Sequence, residues 1–353
     1  MKPNLSGSIK KLLRSVLLMV SAGTCTQHAL MAQDIHLSQF YETPILRNPA
    51  LIGIFNGDVR VQAVYRNQWN SVTIPYQTGA VSGEMKFPVG RSNNFVTAGM
   101  QLTYDRAGTS RLQSVQVLPA LNFHKSLSAD KSSFLSLGIM GGMVQRQFDP
   151  SHLTFNNQYT NGRFDPYAPT GEEGRLALRG YTYLDAGIGL SYNSTIGEDI
   201  NYFVGAAVYH FNRPKVSFYK DASVELDMKL TINAGITVPV SEKVKVIGQY
   251  NQLHQGTYTE YIGGALVGYG LLEQGLESDR GLYGGVFVRW NDAVVPVLKL
   301  DMGTWEMGAS YDANISSLRT ASQSFGGFEI SLVFKSFLNS RNSTLESTNC
   351  PRF

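Results

Sequence analysis

The sequence is poor in charge. Lys, Arg, Asp and Glu make up 16% of its 353 residues, against about 25% in an ordinary soluble domain. Disorder by self-repulsion needs high net charge and few aromatics, yet the formal net charge is +3 and Phe and Tyr number 18 each. Long apolar runs are also missing: no stretch approaches the ~18 residues that a membrane-spanning helix requires. A nucleic-acid binder should be plainly basic, and this chain is not. Cysteine is nearly absent, with only two residues, Cys25 and Cys350. No internal disulfide framework can be built on them once the N-terminal segment is removed.

Catalytic signatures are equally scarce. No GxSxG, HExxH, P-loop or CxxC motif occurs, and His36, His124, His152, His210 and His254 are scattered without metal-ligand spacing. Gly138-Ile139-Met140-Gly141-Gly142 is not followed by the Lys-Ser/Thr of a phosphate loop. Its glycines read as strand positions that permit curvature and close packing. Phe148-Asp149-Pro150, Phe164-Asp165-Pro166 and Glu172-Glu173 lack calcium-loop spacing, and Asp-Pro marks a turn. No enzyme, cofactor or metal is expected.

What is present begins with an export signal. Lys10, Lys11 and Arg14 precede the apolar stretch Val16–Val20, and Ala29-Leu30-Met31-Ala32 offers a cleavage site. That is the layout of a secretory signal peptide over residues 1–32. A lipidated Cys25 is disfavoured by Thr24 before it and by the Ala32 site after it. The segment carries Lys2, Lys10, Lys11 and Arg14 and no acid, so its removal takes the net charge from +3 to −1. The basic excess belongs to the signal and implies no anionic partner.

Beyond it the chain alternates at period two. Val96, Ala98, Met100, Leu102 and Tyr104 oppose Thr97, Gly99, Gln101 and Thr103. Leu226, Met228, Leu230, Ile232, Ala234, Ile236 and Val238 oppose Lys229, Thr231, Asn233, Gly235 and Thr237. Alternate side chains of a strand point to opposite faces, so each segment is half apolar and half polar. The segments are 58–67, 74–87, 95–104, 112–125, 133–145, 181–192, 201–211, 226–239, 243–252, 258–270, 280–290, 294–302, 303–312 and 326–336, fourteen in number. Most have the ~10 residues of a tilted membrane-spanning strand, whereas soluble strands are nearer five or six. Aromatics such as Tyr65, Tyr104, Trp290, Trp305 and Phe334 cluster near segment ends, where interfacial girdles are expected. The reading is an all-β transmembrane antiparallel barrel of about 14 strands, residues 54–336, rather than a soluble sandwich.

Inner-face charges Arg60, Arg66, Lys229, Arg289, Glu306 and Glu329 either line a conducting lumen or pair with one another or with an N-terminal plug; pairing is the favoured reading, because an unpaired buried charge is costly. With both ends of the barrel in the periplasm, the long connections 146–180, 212–225 and 313–325 lie outside the cell. Residues 33–53, broken by Pro44 and Pro49, are read as an irregular periplasmic or plug segment. Residues 337–353 form a polar tail.

This N-terminal stretch carries a resemblance. Gln33-Asp34, Ser38-Gln39-Phe40-Tyr41, Pro44 and Asn48-Pro49-Ala50 with Gly53 closely resemble the start of mature PorP/SprF proteins. Tyr65-Arg66-Asn67-Gln68-Trp69, Phe148-Asp149-Pro150, Tyr311-Asp312-Ala313-Asn314, Gly326-Gly327-Phe328-Glu329-Ile330 and the ending Cys350-Pro351-Arg352-Phe353 extend the resemblance along the chain. It implies a FadL-like barrel and a non-enzymatic outer-membrane part in type IX secretion, in some members linked to gliding motility. Implied partners are a PorK/PorN-like periplasmic ring and secreted cargo with a C-terminal sorting domain. The motif residues Gln39, Phe40, Tyr41, Pro44, Asn48, Pro49, Ala50, Arg66, Gln68, Trp69, Asp149, Asp312, Asn314 and Glu329 are expected to be structural or partner-binding. A FadL-like or porin-like channel for a small solute is the alternative.

Overall fold

The computed structural model describes residues 34–69, 74–90, 93–128, 133–160, 162–172, 179–197, 199–218, 223–271, 280–316 and 325–338. The expected signal peptide, most of the expected tail and Cys350 lie outside the described residues. From Ile35 onward the chain forms one unit.

Fourteen strands close into an antiparallel barrel: β1 (Val59–Gln68), β2 (Tyr76–Pro88), β3 (Phe95–Ala107), β4 (Leu112–Ser126), β5 (Ser133–Gln147), β8 (Gly180–Ile196), β9 (Ile200–Tyr209), β10 (Lys229–Pro239), β11 (Val244–Gln255), β12 (Tyr258–Gly270), β13 (Arg280–Arg289), β14 (Ala293–Met302), β15 (Trp305–Asn314) and β16 (Phe325–Ser336). β6 (Tyr159–Thr160) and β7 (Arg163–Phe164) form a separate small hairpin. Each barrel strand pairs with its sequence neighbours in the barrel, and β1 pairs with β16, Val59 opposite Ser336 and Gln68 opposite Gly327. Closure leaves no strand edge unpaired, which a hydrocarbon environment demands of every backbone N–H and C=O.

The alternation resolves into two surfaces. On β4, Val115, Val117, Leu121 and Phe123 are exposed while Gln116, Asn122 and His124 are buried. On β5, Leu135, Leu137, Ile139 and Met143 are exposed while Ser136, Met140 and Val144 are buried. The outward face is therefore apolar, while the inward face is largely polar with a few apolar residues such as Met140 and Val144, the inverse of a soluble sheet. Exposed Tyr65, Tyr104, Tyr261, Trp290, Tyr311 and Phe328 ring one end; Phe87, Phe123, Tyr269 and Trp305 ring the other.

A charge placed in the outward band should be expelled from lipid. Ile139 sits mid-strand on β5, opposite Leu121 and Ile188. Ile139→Arg is expected to lower stability by about 2–4 kcal/mol, read from urea midpoints of barrels refolded into vesicles, whereas Ile139→Leu should change it by less than about 1.5 kcal/mol.

Alternation of direction puts the connections 69–75, 108–111, 148–179, 210–228, 256–257, 290–292 and 315–324 at one end, hereafter the long-loop end. The opposite, short-turn end holds 89–94, 127–132, 197–199, 240–243, 271–279 and 303–304. The three longest connections share the first end, but so do the two-residue turn 256–257 and the short links 108–111 and 290–292. Most strand limits shift by a few residues from the period-two reading, and two of the shifts have a clear cause. β9 stops at Tyr209 because His210 turns to φ +57°. Leu226 precedes β10 and packs inward beside Ile45 and Tyr209 instead of facing lipid.

Candidate functional site

The chemistry of this molecule is concentrated where the N-terminal segment meets the inward-facing side chains. Three short turns shape that segment: Phe40–Glu42, Pro44–Arg47 and Pro49–Leu51. Pro44 and Pro49 each sit at the first position of a turn, where a missing N–H is tolerated and a fixed φ favours helical backbone. The Asn48 side chain accepts from Ala50 N–H at 2.8 Å, capping the last turn. Ser38, Gln39, Ile45, Asn48, Ala50 and Ile52 are completely buried.

At the long-loop end, four strands converge on two consecutive residues, and a fifth stands behind them. Ser38 N–H and Gln39 N–H donate to the two carboxylate oxygens of Glu329 on β16, at 2.5 and 2.8 Å. Ser38 Oγ donates to Asp312 on β15 at 2.6 Å and accepts from Arg66 on β1 at 2.7 Å. Arg289 on β13 also donates to Ser38 Oγ. Arg66 pairs with Glu329 and, at 2.8 Å, with Asp312. Arg289 lies 3.1 Å from Asp312 and 3.8 Å from Glu260 on β12. Two guanidiniums thus face three nearly solvent-free carboxylates, and Arg289 also donates to the more exposed Asp292 at 2.9 Å. Charges this buried persist only when paired and hydrogen-bonded. The Gln39 amide continues the network to Ser310 at 3.2 Å and Ser331 at 2.7 Å.

Midway, Glu42 accepts from Gln62 at 2.8 Å and pairs with Lys299 at 2.9 Å. Lys299 reaches Glu306 at 2.7 Å, and Glu306 also holds Lys335. Phe40 and Tyr41 pack on Phe287 with ring centroids 5.6 Å away. Arg47 donates to Gln249 at 2.9 Å and to the Tyr250 carbonyl at 3.0 Å, with its guanidinium over Phe40 and Phe203 at 4.8 and 5.1 Å.

Towards the short-turn end, Asn122 donates to the carbonyls of Ala50 and Ile52, both at 2.8 Å, and Ser191 donates to Ala50 at 2.9 Å. Gly53 N–H donates to Glu84, which pairs with Arg60 at 2.8 Å. Lys86 donates to the Phe55 carbonyl and lies over its ring at 4.3 Å. The wall has no side chain where the segment comes closest. A Cβ on Gly138 would collide with the Pro49 carbonyl carbon, and one on Gly189 would collide with Asn48 Oδ1.

The motif residues therefore separate into two groups. Gln39, Phe40, Tyr41, Pro44, Asn48, Pro49, Ala50, Arg66, Asp312 and Glu329 meet at this contact. The others lie at the long-loop end. Gln68 ends β1, and Trp69 N–H donates to Gly326 at 2.9 Å. Asp149 accepts from Ser151 N–H at 3.0 Å, and Asn314 accepts from Ser316 N–H at 2.8 Å. Of the inner charges, Lys229 lies over the Tyr209 ring at 4.4 Å. The sequence pattern does not single out Glu42, Arg47, Glu84, Asn122 or Lys299 as site residues. For Glu84, Asn122 and Lys299 a signal exists, since each has the inward parity of its strand.

A comparison with known families places the chain. The model of the type IX secretion system membrane protein PorP/SprF matches residues 29–334. The chain belongs to the PorP/SprF family. It is accordingly a type IX secretion system membrane protein built as an outer-membrane barrel. No curated relative matches the sequence. Similar solved structures include CdiB from Acinetobacter baumannii, 8% identical over 78% of this chain and 60% of that one, TM-score 0.45. An outer membrane channel from Pseudomonas putida F1 is 8% identical over 79% and 95% of the two chains, TM-score 0.42. The deltaS2 mutant of the TodX monoaromatic hydrocarbon channel is 9% identical over 83% and 93%, TM-score 0.45.

Proposed function

We propose that this PorP/SprF protein is a non-conducting, non-enzymatic outer-membrane anchor of type IX secretion. It supports secretion and surface attachment of cargo bearing a C-terminal sorting domain, gliding-motility adhesins among them. Residues 1–32 direct export and are cleaved. The long loops, with Trp69, Asp149 and Asn314 at their bases, meet cargo, and the short-turn end with the C-terminal tail meets a PorK/PorN-like periplasmic ring. One observation carries the reading: residues 38–55 are bonded to inward-facing side chains of strands all round the barrel, which acts as a plug rather than as the lining of a solute path.

Single-channel recording of the purified barrel in planar bilayers tests it. Electrical silence, with ring components co-purifying from mild detergent, is the expected outcome. A stable open-pore conductance without such partners would instead favour a small-solute channel.

A further inference from the structure

We propose that the N-terminal segment enters the lumen from the long-loop end, so that the processed chain begins on the cell-surface side of the outer membrane. The sequence pattern suggests a periplasmic or plug segment for residues 33–53. The order of contacts along the segment gives it a direction.

β1, β13 and β15 run from the short-turn end towards the long-loop end, while β12 and β16 run back. Arg66 lies near the far end of β1, Arg289 is the last residue of β13, Asp312 is near the end of β15, and Glu260 is near the start of β12. Arg66, Arg289 and Asp312, with Glu329, hold Ser38 at the long-loop end, and Glu260 lies behind Arg289. Further along, Glu42 meets Gln62 and Lys299 in mid-strand. Arg47 meets Gln249 halfway along β11. Ala50 and Ile52 meet Asn122 in the lower part of β4. Gly53 meets Glu84, and Phe55 meets Lys86, close to the end of β2. Asp58 N–H then donates to Ser336, the last residue of β16, at 2.9 Å. From residue 38 to residue 58 the chain descends the lumen from one mouth to the other and only then starts β1.

Two physical consequences follow. The long-loop end is the extracellular end, because outer-membrane barrels keep short turns inside and long loops outside. The cluster that fixes Ser38 includes Arg66 on β1 and Glu329 on β16, the two strands that close the ring. Pulling the segment out would strand the carboxylate of Glu329 opposite vanished N–H donors, so closure and threading stabilise one another.

The test is accessibility in intact cells. An epitope tag is inserted between Asp34 and Ile35, a second at Tyr167 in the longest loop, and a third after Phe353, each in the full-length gene. Heat-modifiable gel migration confirms that each barrel is folded. Antibody should bind the first and second tags with no gain on outer-membrane permeabilisation, and the third only after it. An N-terminal tag reached only after permeabilisation, while the Tyr167 tag is open in intact cells, would overturn the threading. So would the reverse pattern for the second and third tags. Where the insertion blocks folding, Asp34→Cys in a Cys350→Ser background replaces it, read with a membrane-impermeant maleimide under the same criteria.

Discussion

Glu329→Ala is expected to be among the most damaging single substitutions in this barrel, with a loss of about 3–5 kcal/mol, the usual consequence of removing one partner of a buried ion pair. The carboxylate accepts Ser38 N–H and Gln39 N–H, pairs with Arg66, and ties β16 to the segment that β1 closes over. Alanine leaves two backbone donors without an acceptor in a region sealed from water, and Arg66 keeps only Asp312 and Ser38. The desolvation penalty of each orphaned donor is about 1–3 kcal/mol. Urea midpoints should fall, and protease should reach residues 35–57 while strands stay protected. Glu329→Gln retains an acceptor oxygen and should lose less. Ile330→Ala, one residue away but facing lipid, should leave the segment protected. Equal protease sensitivity in Ile330→Ala and Glu329→Ala would show that the contact with Ser38 is not what holds the segment.

Gly138→Leu acts on the same assembly from the other side. The nearest atoms to an added Cβ are backbone, the Pro49 carbonyl carbon and the Ala50 nitrogen, both well inside van der Waals contact. A rotamer change cannot relieve such a clash; either the segment or the strand must move. Overpacking of this kind commonly costs about 1–3 kcal/mol. The strand is held by a continuous ladder to β8 and by a ladder to β4 that pairs Gly138 with Asn122, so the segment yields first. Residues 48–53 should leave the wall, losing the bonds from Asn122 and Ser191. The expected readout is conductance in planar bilayers where the unsubstituted protein is silent, together with new cleavage between residues 48 and 53. Gly141 supplies the control: it has outward parity on β5, and its Cβ would meet only the Asp185 carbonyl at 3.6 Å. Gly141→Leu should stay silent. Conductance from Gly141→Leu, or silence from Gly138→Leu with the segment still protected, would refute the account.

Much of the wall is legible in the amino-acid order alone. Thr231 and Asn233 opposite Leu230 and Ile232 specify which face of β10 meets lipid, because parity is local: a side chain's direction depends only on its position along its own strand. The pairing of Arg66 and Glu329 is expected in kind, since buried charge must be neutralised, but not in its partners. Leu226 illustrates the limit. Its parity matches the apolar face, yet the strand begins three residues later, and strand limits depend on where neighbouring ladders end.

Local periodicity and linear motifs are enough to specify the barrel, its fourteen strands, the lipid-facing band and the family. What the N-terminal motif does depends on contacts between distant parts of the chain. Ser38 and Glu329 are 291 positions apart, and no local pattern announces that a Ser-Gln backbone will be held by that carboxylate. Nor does any motif show that Gly138 and Gly189 are bare to admit Pro49 and Asn48. Those choices are made only when closure brings β1, β13, β15 and β16 around one segment, and burial then forces every polar group to find a partner.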